Sequence, residues 1–146
     1  MCLFMLVLSF STESYSDTFL FSKDNISFGC LDCGSSDEKS ICSLYGNYGL
    51  EHSDYSIWNV NGIGNLQRQE SPFSKNGKGL GMFDSNGDFK GHLHIDNSET
   101  NEFSKLLNYA WLDAKQSHSR TKQNFCKLMR QKFGYWIKST TDLEIL

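Results

Sequence analysis

Apolar positions along this chain change their rhythm from one stretch to the next. Met1 to Phe10 (Met-Cys-Leu-Phe-Met-Leu-Val-Leu-Ser-Phe) is an almost unbroken apolar run. Around Asn86-Gly87 the rhythm is two: Leu80 and Met82 on one side, then Phe89, Gly91, Leu93 and Ile95 on the other. That alternation predicts a β-hairpin, and Asn-Gly predicts a type I′ turn, in which both central residues take positive φ. From Phe103 the period lengthens to that of a helix. Phe103, Leu106, Leu107, Ala110, Trp111 and Ala114 make one stripe, and Phe125, Leu128, Met129, Phe133, Trp136 and Ile137 make a second. Ser98 or Thr100 is placed to cap the first helix, with Glu99 and Glu102 suiting its dipole. Gly134 ends the second near Phe133, after Arg130 and Lys132.

The middle of the chain has a different order. Shifted by sixteen, Ser40-Ile41-Cys42-Ser43-Leu44-Tyr45-Gly46 lies over Ser56-Ile57-Trp58-Asn59-Val60-Asn61-Gly62. Each unit has an apolar pair, a polar cap and a glycine, which predicts short extended segments joined by tight turns. Two units cannot bury a core between themselves, so they pack on the rest of the chain. The expected fold is therefore α+β: a small β-rich Gly/Tyr/Cys half with a β-hairpin, followed by two amphipathic C-terminal helices. The expected divisions are 1–16, a signal peptide; 17–98, the unit-and-hairpin region; 99–138, helices packing on it within one domain; and 139–146, a tail.

The apolar run has the length of a signal-peptide core and is too short to span a bilayer as a helix. Small residues at Ser14 and Ser16 place the cleavage after Ser16. No Lys or Arg precedes the run, and the competing reading is a buried strand or helix of a cytoplasmic protein. Export, periplasmic or extracellular, is the expectation, and no second hydrophobic span follows that would hold the mature chain in a membrane.

Removal of the leader takes Cys2 with it and leaves Cys30, Cys33, Cys42 and Cys126, enough for two disulfides with three connectivities. Two other uses of Cys30-x-x-Cys33 compete. A thioredoxin-like pair wants the start of a helix, whereas Gly34-Ser35-Ser36-Asp37 is loop chemistry. A zinc clip would join Cys30 and Cys33 to His92 and His94, which share a side if both lie on one strand.

Phe28-Gly29-Cys30-Leu-x-Cys33, Ser40-Ile41-Cys42, Tyr45-Gly46-x-Tyr48-Gly49, Tyr55-Ser56-Ile57-Trp58-Asn59, Ser71-Pro72-Phe73 and Asp84-x-Asn86-Gly87 follow one another in this order. Together they resemble a group of small bacterial exported proteins of unknown function, built on Ser-Ile-Trp-Asn and Tyr-Gly-x-Tyr-Gly units. The resemblance covers residues 28–95. It implies export and one small domain, and it implies no activity or active-site residue. The chain departs from the group where Asn61-Gly62-Ile63-Gly64 replaces the second Tyr-Gly-x-Tyr-Gly ending, and in the long segment after residue 98.

Charge and ring content bear on partners. Residues 17–102 carry 13 acidic and 6 basic side chains, a balance of −7, and residues 103–138 carry 8 basic and 1 acidic, a balance of +7. The basic stretch Lys115–Lys138 suits an acidic partner or a solvated face, and no nucleic-acid motif accompanies it. Tyr45, Tyr48, Tyr55, Trp58 and Asn59 are the candidate ligand-binding residues, for a small molecule, glycan or protein. Such rings stack on a ligand while keeping a polar edge, and filling a Gly-rich core is their competing role. No nucleophile elbow, zinc-protease helix or phosphate loop occurs, and no cofactor is expected. A non-catalytic binding or envelope-associated module is the expected function. The alternatives are a small exported hydrolase using Cys or His of the central stretch, and an intracellular zinc-clipped interaction domain.

Overall fold

The structure, a computed structural model, describes residues 17–132. The segment 1–16 expected to be a signal peptide, the end of the second helical stripe (Phe133, Trp136, Ile137) and the tail 139–146 lie outside the described residues. Strands β1 (Thr18–Phe21), β2 (Ser27–Cys30), β3 (Leu80–Asp84) and β4 (Phe89–Leu93) form one antiparallel sheet in the order β2-β1-β3-β4. A 3-10 turn at Ile95–Asn97 leads into helices α1 (Glu102–Asp113) and α2 (His118–Lys132). The class is α+β, a sheet with its hairpins followed by two helices, as the change in period predicts.

Leu20, Leu80, Met82 and Leu93 turn one sheet face into the core, while Phe21 and Phe83 stand on the other, partly open face. On β4 the alternation breaks. Phe89 pairs with Phe83 and His92 with Gly81, so three steps along β4 answer two along β3. This is a β-bulge, made where Gly91 takes φ +104°. It brings Phe89 and His92, three residues apart, to the same face. The hairpin turn also differs from expectation. Only Gly87 of the Asn-Gly pair has positive φ, so the turn is not type I′. The Asp84 carboxylate instead accepts the amides of Asn86 (2.9 Å) and Asp88 (3.0 Å), and Gly87 N–H donates to Asp84 O. An aspartate at the turn's first position and a left-handed glycine at its end make the longer loop the better bonded one. Those bonds, the amide of Asp88 first, hold the Asp84 carboxyl below its usual range.

No strand lies between Leu31 and Gly79; an isolated Cys30–Ser40 bridge is the pairing there. The predicted extended segments are instead turns. In Ser40–Ser43, Ser56–Asn59 and Ser71–Ser74 the fourth amide donates to the first carbonyl, and the first serine's Oγ accepts the third residue's amide. The same pattern places a third segment, Ser71-Pro72-Phe73-Ser74-Lys75-Asn76-Gly77, beside the two visible as a sixteen-residue shift. All four residues of each turn are buried. Serine suits this because its hydroxyl satisfies a backbone amide that a strand would have paired with a neighbour. The turns lie side by side: Trp58 Nε1–H donates to Ile41 O at 2.7 Å, and the Trp58 and Phe73 rings are 6.1 Å apart.

Helix α1 begins on Asn101, whose side chain accepts from Ser104 N, whereas Thr100 Oγ1 donates to Asn97 O and leaves the cap to its neighbour. The helices cover the turns: Phe73 stacks on Trp111 of α1 at 4.5 Å, and Trp58 lies 6.1 Å from Phe125 of α2. A disulfide joins Cys42 of the first turn to Cys126 of α2, and Lys122 Nζ donates to Ser43 O (3.0 Å) and Gly49 O (2.6 Å) beside it. One buried cluster thus contains sheet, turns and helices.

Candidate functional site

The five ring and amide residues singled out in the sequence separate into two groups. Trp58 is 1% exposed and its indole N–H is used on Ile41 O, so it is a core residue and is not available to stack on a ligand. Asn59 is also structural: its amide donates to Ser53 O and accepts from Asn61 N. A tetrapeptide that buries every residue leaves neither of them a free edge. Tyr45 and Tyr55 are exposed, and Tyr48 is half-buried. Tyr48 and Tyr55 meet edge to face at 6.4 Å, and Tyr45 Oη donates to Ser36 O. Tyr48 also rests on Gly29, where an added Cβ would meet Tyr48 Cβ at 2.6 Å.

Both cysteine pairs are disulfides, Cys30–Cys33 and Cys42–Cys126. The zinc clip through Cys30, Cys33, His92 and His94 is therefore not assembled. Its sulfurs are bonded to each other, and the two histidines part where β4 ends at Leu93: His92 lines the open face of the sheet, and His94 is buried against Ser74. Cys42 is likewise no free nucleophile for a hydrolase.

His94 is involved in the nearest approach to a catalytic arrangement among the described residues. Its Nε2 lies 3.0 Å from Ser74 Oγ, and its Nδ1 lies 3.8 Å from Asp96 Oδ2. The hydrogen bonds decide against a nucleophilic triad. Nδ1 accepts the Asp96 amide at 3.1 Å, so the ring proton is on Nε2, which faces Ser74 O at 2.7 Å. A base must present a bare nitrogen to the serine, and this imidazole presents a proton. Ser74 and His94 are 2% and 1% exposed, and Ser74 Oγ accepts from Gly77 N as well. The three residues fasten the third turn to the end of β4.

Beyond these, the open face of the sheet carries a cleft of about 500 Å³. Phe21, Phe83, Phe89 and His92 run across it as a chain of edge-on and tilted rings, with centroids 5.8, 5.4 and 5.1 Å apart in succession. Gly81 keeps the floor low: a Cβ there would come within 2.8 Å of the Phe83 ring. The rim is mixed, with Lys23 and Lys78, Glu70, and the amides of Gln69 and Asn76. Such a cleft offers flat apolar faces inside and hydrogen-bond donors and acceptors around them, the composition of a small-ligand site. Sequence reading passed over it because strict alternation places Phe89 with Leu93 and separates it from His92. The bulge at Gly91 was signalled only by a glycine inside a strand pattern.

A second hollow, of about 410 Å³, lies along α2 beside Cys42–Cys126, with Leu44 and Glu51 facing Lys122, Lys127 and Arg130. Burial lowers the pKa of Lys122. Its contacts to two backbone carbonyls make it a fastener for the helix, and Lys127 and Arg130 are what the basic stretch leaves at this surface. Among the described residues no helix is long and apolar enough to cross a membrane. The chain matches no known family model, and no curated protein or solved structure matches it either.

Proposed function

We propose that the protein is a non-catalytic binding module of the cell envelope or exterior, and that the outer face of its sheet takes a glycan. The observation that carries this reading is the row Phe21–Phe83–Phe89–His92 exposed in a cleft whose rim is largely polar. Aromatic faces pack against the C–H faces of a sugar ring, and amides, lysine and glutamate at the edge suit its hydroxyls, which both donate and accept. A purely apolar ligand would leave Lys23, Glu70, Gln69 and Asn76 without a role. Export is supported by the two disulfides, which persist in oxidising compartments. The apolar run at residues 1–10 and the resemblance to small exported proteins favour it as well. The occupied thiol of Cys42 and the tautomer of His94 weigh against the hydrolase alternative.

The test is a titration of the 15N-labelled protein with neutral and N-acetylated oligosaccharides, read as amide shift changes. Changes at Gly81, Phe83, Phe89 and His92 that vanish in Phe83→Ala, with other shifts preserved, are the expected result. Changes centred on Tyr45, Tyr48 and Tyr55 would move the site to the turns. A spectrum that no sugar perturbs would overturn the glycan reading.

A further inference from the structure

Cys30 and Cys33 sit in a setting that a purely structural crosslink does not require. Asp32, between them, points its carboxylate back at the pair, with Oδ1 3.6 Å from Cys30 Sγ. Thr18 fixes that carboxylate with both of its donors, the backbone amide to Oδ1 at 2.7 Å and Oγ1 to Oδ2 at 2.9 Å. Asp17, just before β1, adds a second carboxylate. The two sulfurs and one oxygen from each aspartate all lie within 4.8 Å of one another.

We propose that reduction of Cys30–Cys33 converts this corner into a site for one divalent metal ion of the zinc type, held by Cys30, Cys33, Asp32 and Asp17. Two thiolates and two carboxylates are a tetrahedral donor set, and Cys-x-x-Cys is the common spacing for the sulfur half. Bonds of about 2.0–2.3 Å to four tetrahedral ligands put the donor atoms roughly 3.3–3.8 Å apart. The two sulfurs, bonded to each other here, move apart on reduction, and the carboxylate oxygens, within 4.8 Å of them, have only a short way to close. The backbone that carries them is held from both sides. Leu31 N–H donates to Thr18 O, Cys30 N–H donates to Lys39 O, and the Thr18 bonds to Asp32 would orient a ligating carboxylate from outside the first ring of ligands. The disulfide form has no sulfur to offer, so oxidation and metal binding exclude each other. A dithiol or phosphine reductant gives up two electrons to the bond, two thiols form, and the metal displaces their protons.

Cobalt(II) is the probe, added without oxygen to the full chain before and after treatment with a phosphine reductant. The expected result is no uptake by the oxidised protein and one equivalent by the reduced protein, with thiolate-to-cobalt absorption. Cys30→Ser/Cys33→Ser removes the signal, Asp32→Asn weakens binding at least about tenfold, and His92→Ala leaves it unchanged. Retention of binding in Cys30→Ser/Cys33→Ser would transfer it to Cys42 and Cys126 and overturn the proposal. An unaltered affinity in both Asp32→Asn and Asp17→Asn would overturn the four-ligand set. If reduction unfolds the chain, one equivalent of cobalt restores its circular dichroism; a reduced chain that takes up no metal, folded or not, sinks the idea.

Discussion

The sheet and the three buried turns answer the same requirement in opposite ways. Every buried amide and carbonyl needs a partner. In the sheet the partners come from far along the chain: Phe19 and Leu20 of β1 pair with Phe83 and Met82 of β3. In the turns they come from three residues away, or from the serine that begins the turn. A strand keeps its bonds under most substitutions because they belong to the backbone. A turn of this kind depends on side-chain identity and on close backbone passages that tolerate no Cβ. An added Cβ at Gly46 would stand 2.1 Å from Glu38 O, at Gly77 1.9 Å from Gln69 O, and at Gly49 1.9 Å from Ser43 O. The sheet is thus specified by pattern and the turns by particular residues.

The sharpest way to break this contrast is a glycine pair. Gly49→Ala is expected to lose more than about 3 kcal/mol or to fail to fold, since the obstructing atom is backbone. Gly87→Ala in the hairpin has open space around it and suffers only from its φ of +83°, a cost of about 1 kcal/mol. Equal urea midpoints for the two variants would show that the turns are not backbone-locked. The disulfides come next. Cys42–Cys126 closes a separation of 84 residues and Cys30–Cys33 one of 3. On chain entropy, replacing the first pair with alanine costs about 4.5 kcal/mol and the second about 2 kcal/mol. A reversed order in chemical denaturation would mean that the local pair organises the fold.

The smallest effect concerns pH. His118 Nε2–H donates to Gly64 O (2.7 Å), and the ring stands edge-on to both Phe73 and Trp111. Burial lowers its pKa from 6.5, so the unfolded chain binds the proton more readily than the folded one. The stability that depends on a neutral ring is complete above the unfolded value and declines as pH falls through the folded one. Melting temperature should therefore drop between about pH 7 and pH 5, less steeply in His118→Phe. Asp32 opposes this at lower pH, because its raised pKa favours the folded state most when it is protonated. An identical slope in His118→Phe would assign the effect elsewhere.

How much of this was visible in the chain follows the same division. Leu106, Leu107, Ala110 and Trp111 announced α1 by spacing, because one buried stripe is all a surface helix needs. Leu80 and Met82 announced β3 for a similar reason. The turns were half visible. Ser-Ile-Cys-Ser and Ser-Ile-Trp-Asn share letters, but Ser-Pro-Phe-Ser hides the third turn, since Pro72 fills a position where no amide is needed. Nothing in the spacing of Ser-apolar-apolar-Ser distinguishes an extended segment from a turn; the serine hydroxyl bond does. The aromatic cleft was illegible for another reason. Its members come from β1, β3 and β4, and a single bulge decides which side of the sheet two of them occupy.

The Cys42–Cys126 bridge also has a consequence in time. A chain is made from its N-terminus, so Cys42 waits without its partner until 84 more residues have been added. At about 5–20 residues per second that interval is roughly 4–17 s. Cys30 and Cys33 emerge before it, close enough to pair without waiting for anything downstream. Their union during the interval withdraws two wrong partners from Cys42. The short bridge thus acts as a chaperone for the long one, and α2 cannot be secured until Cys126 has been made.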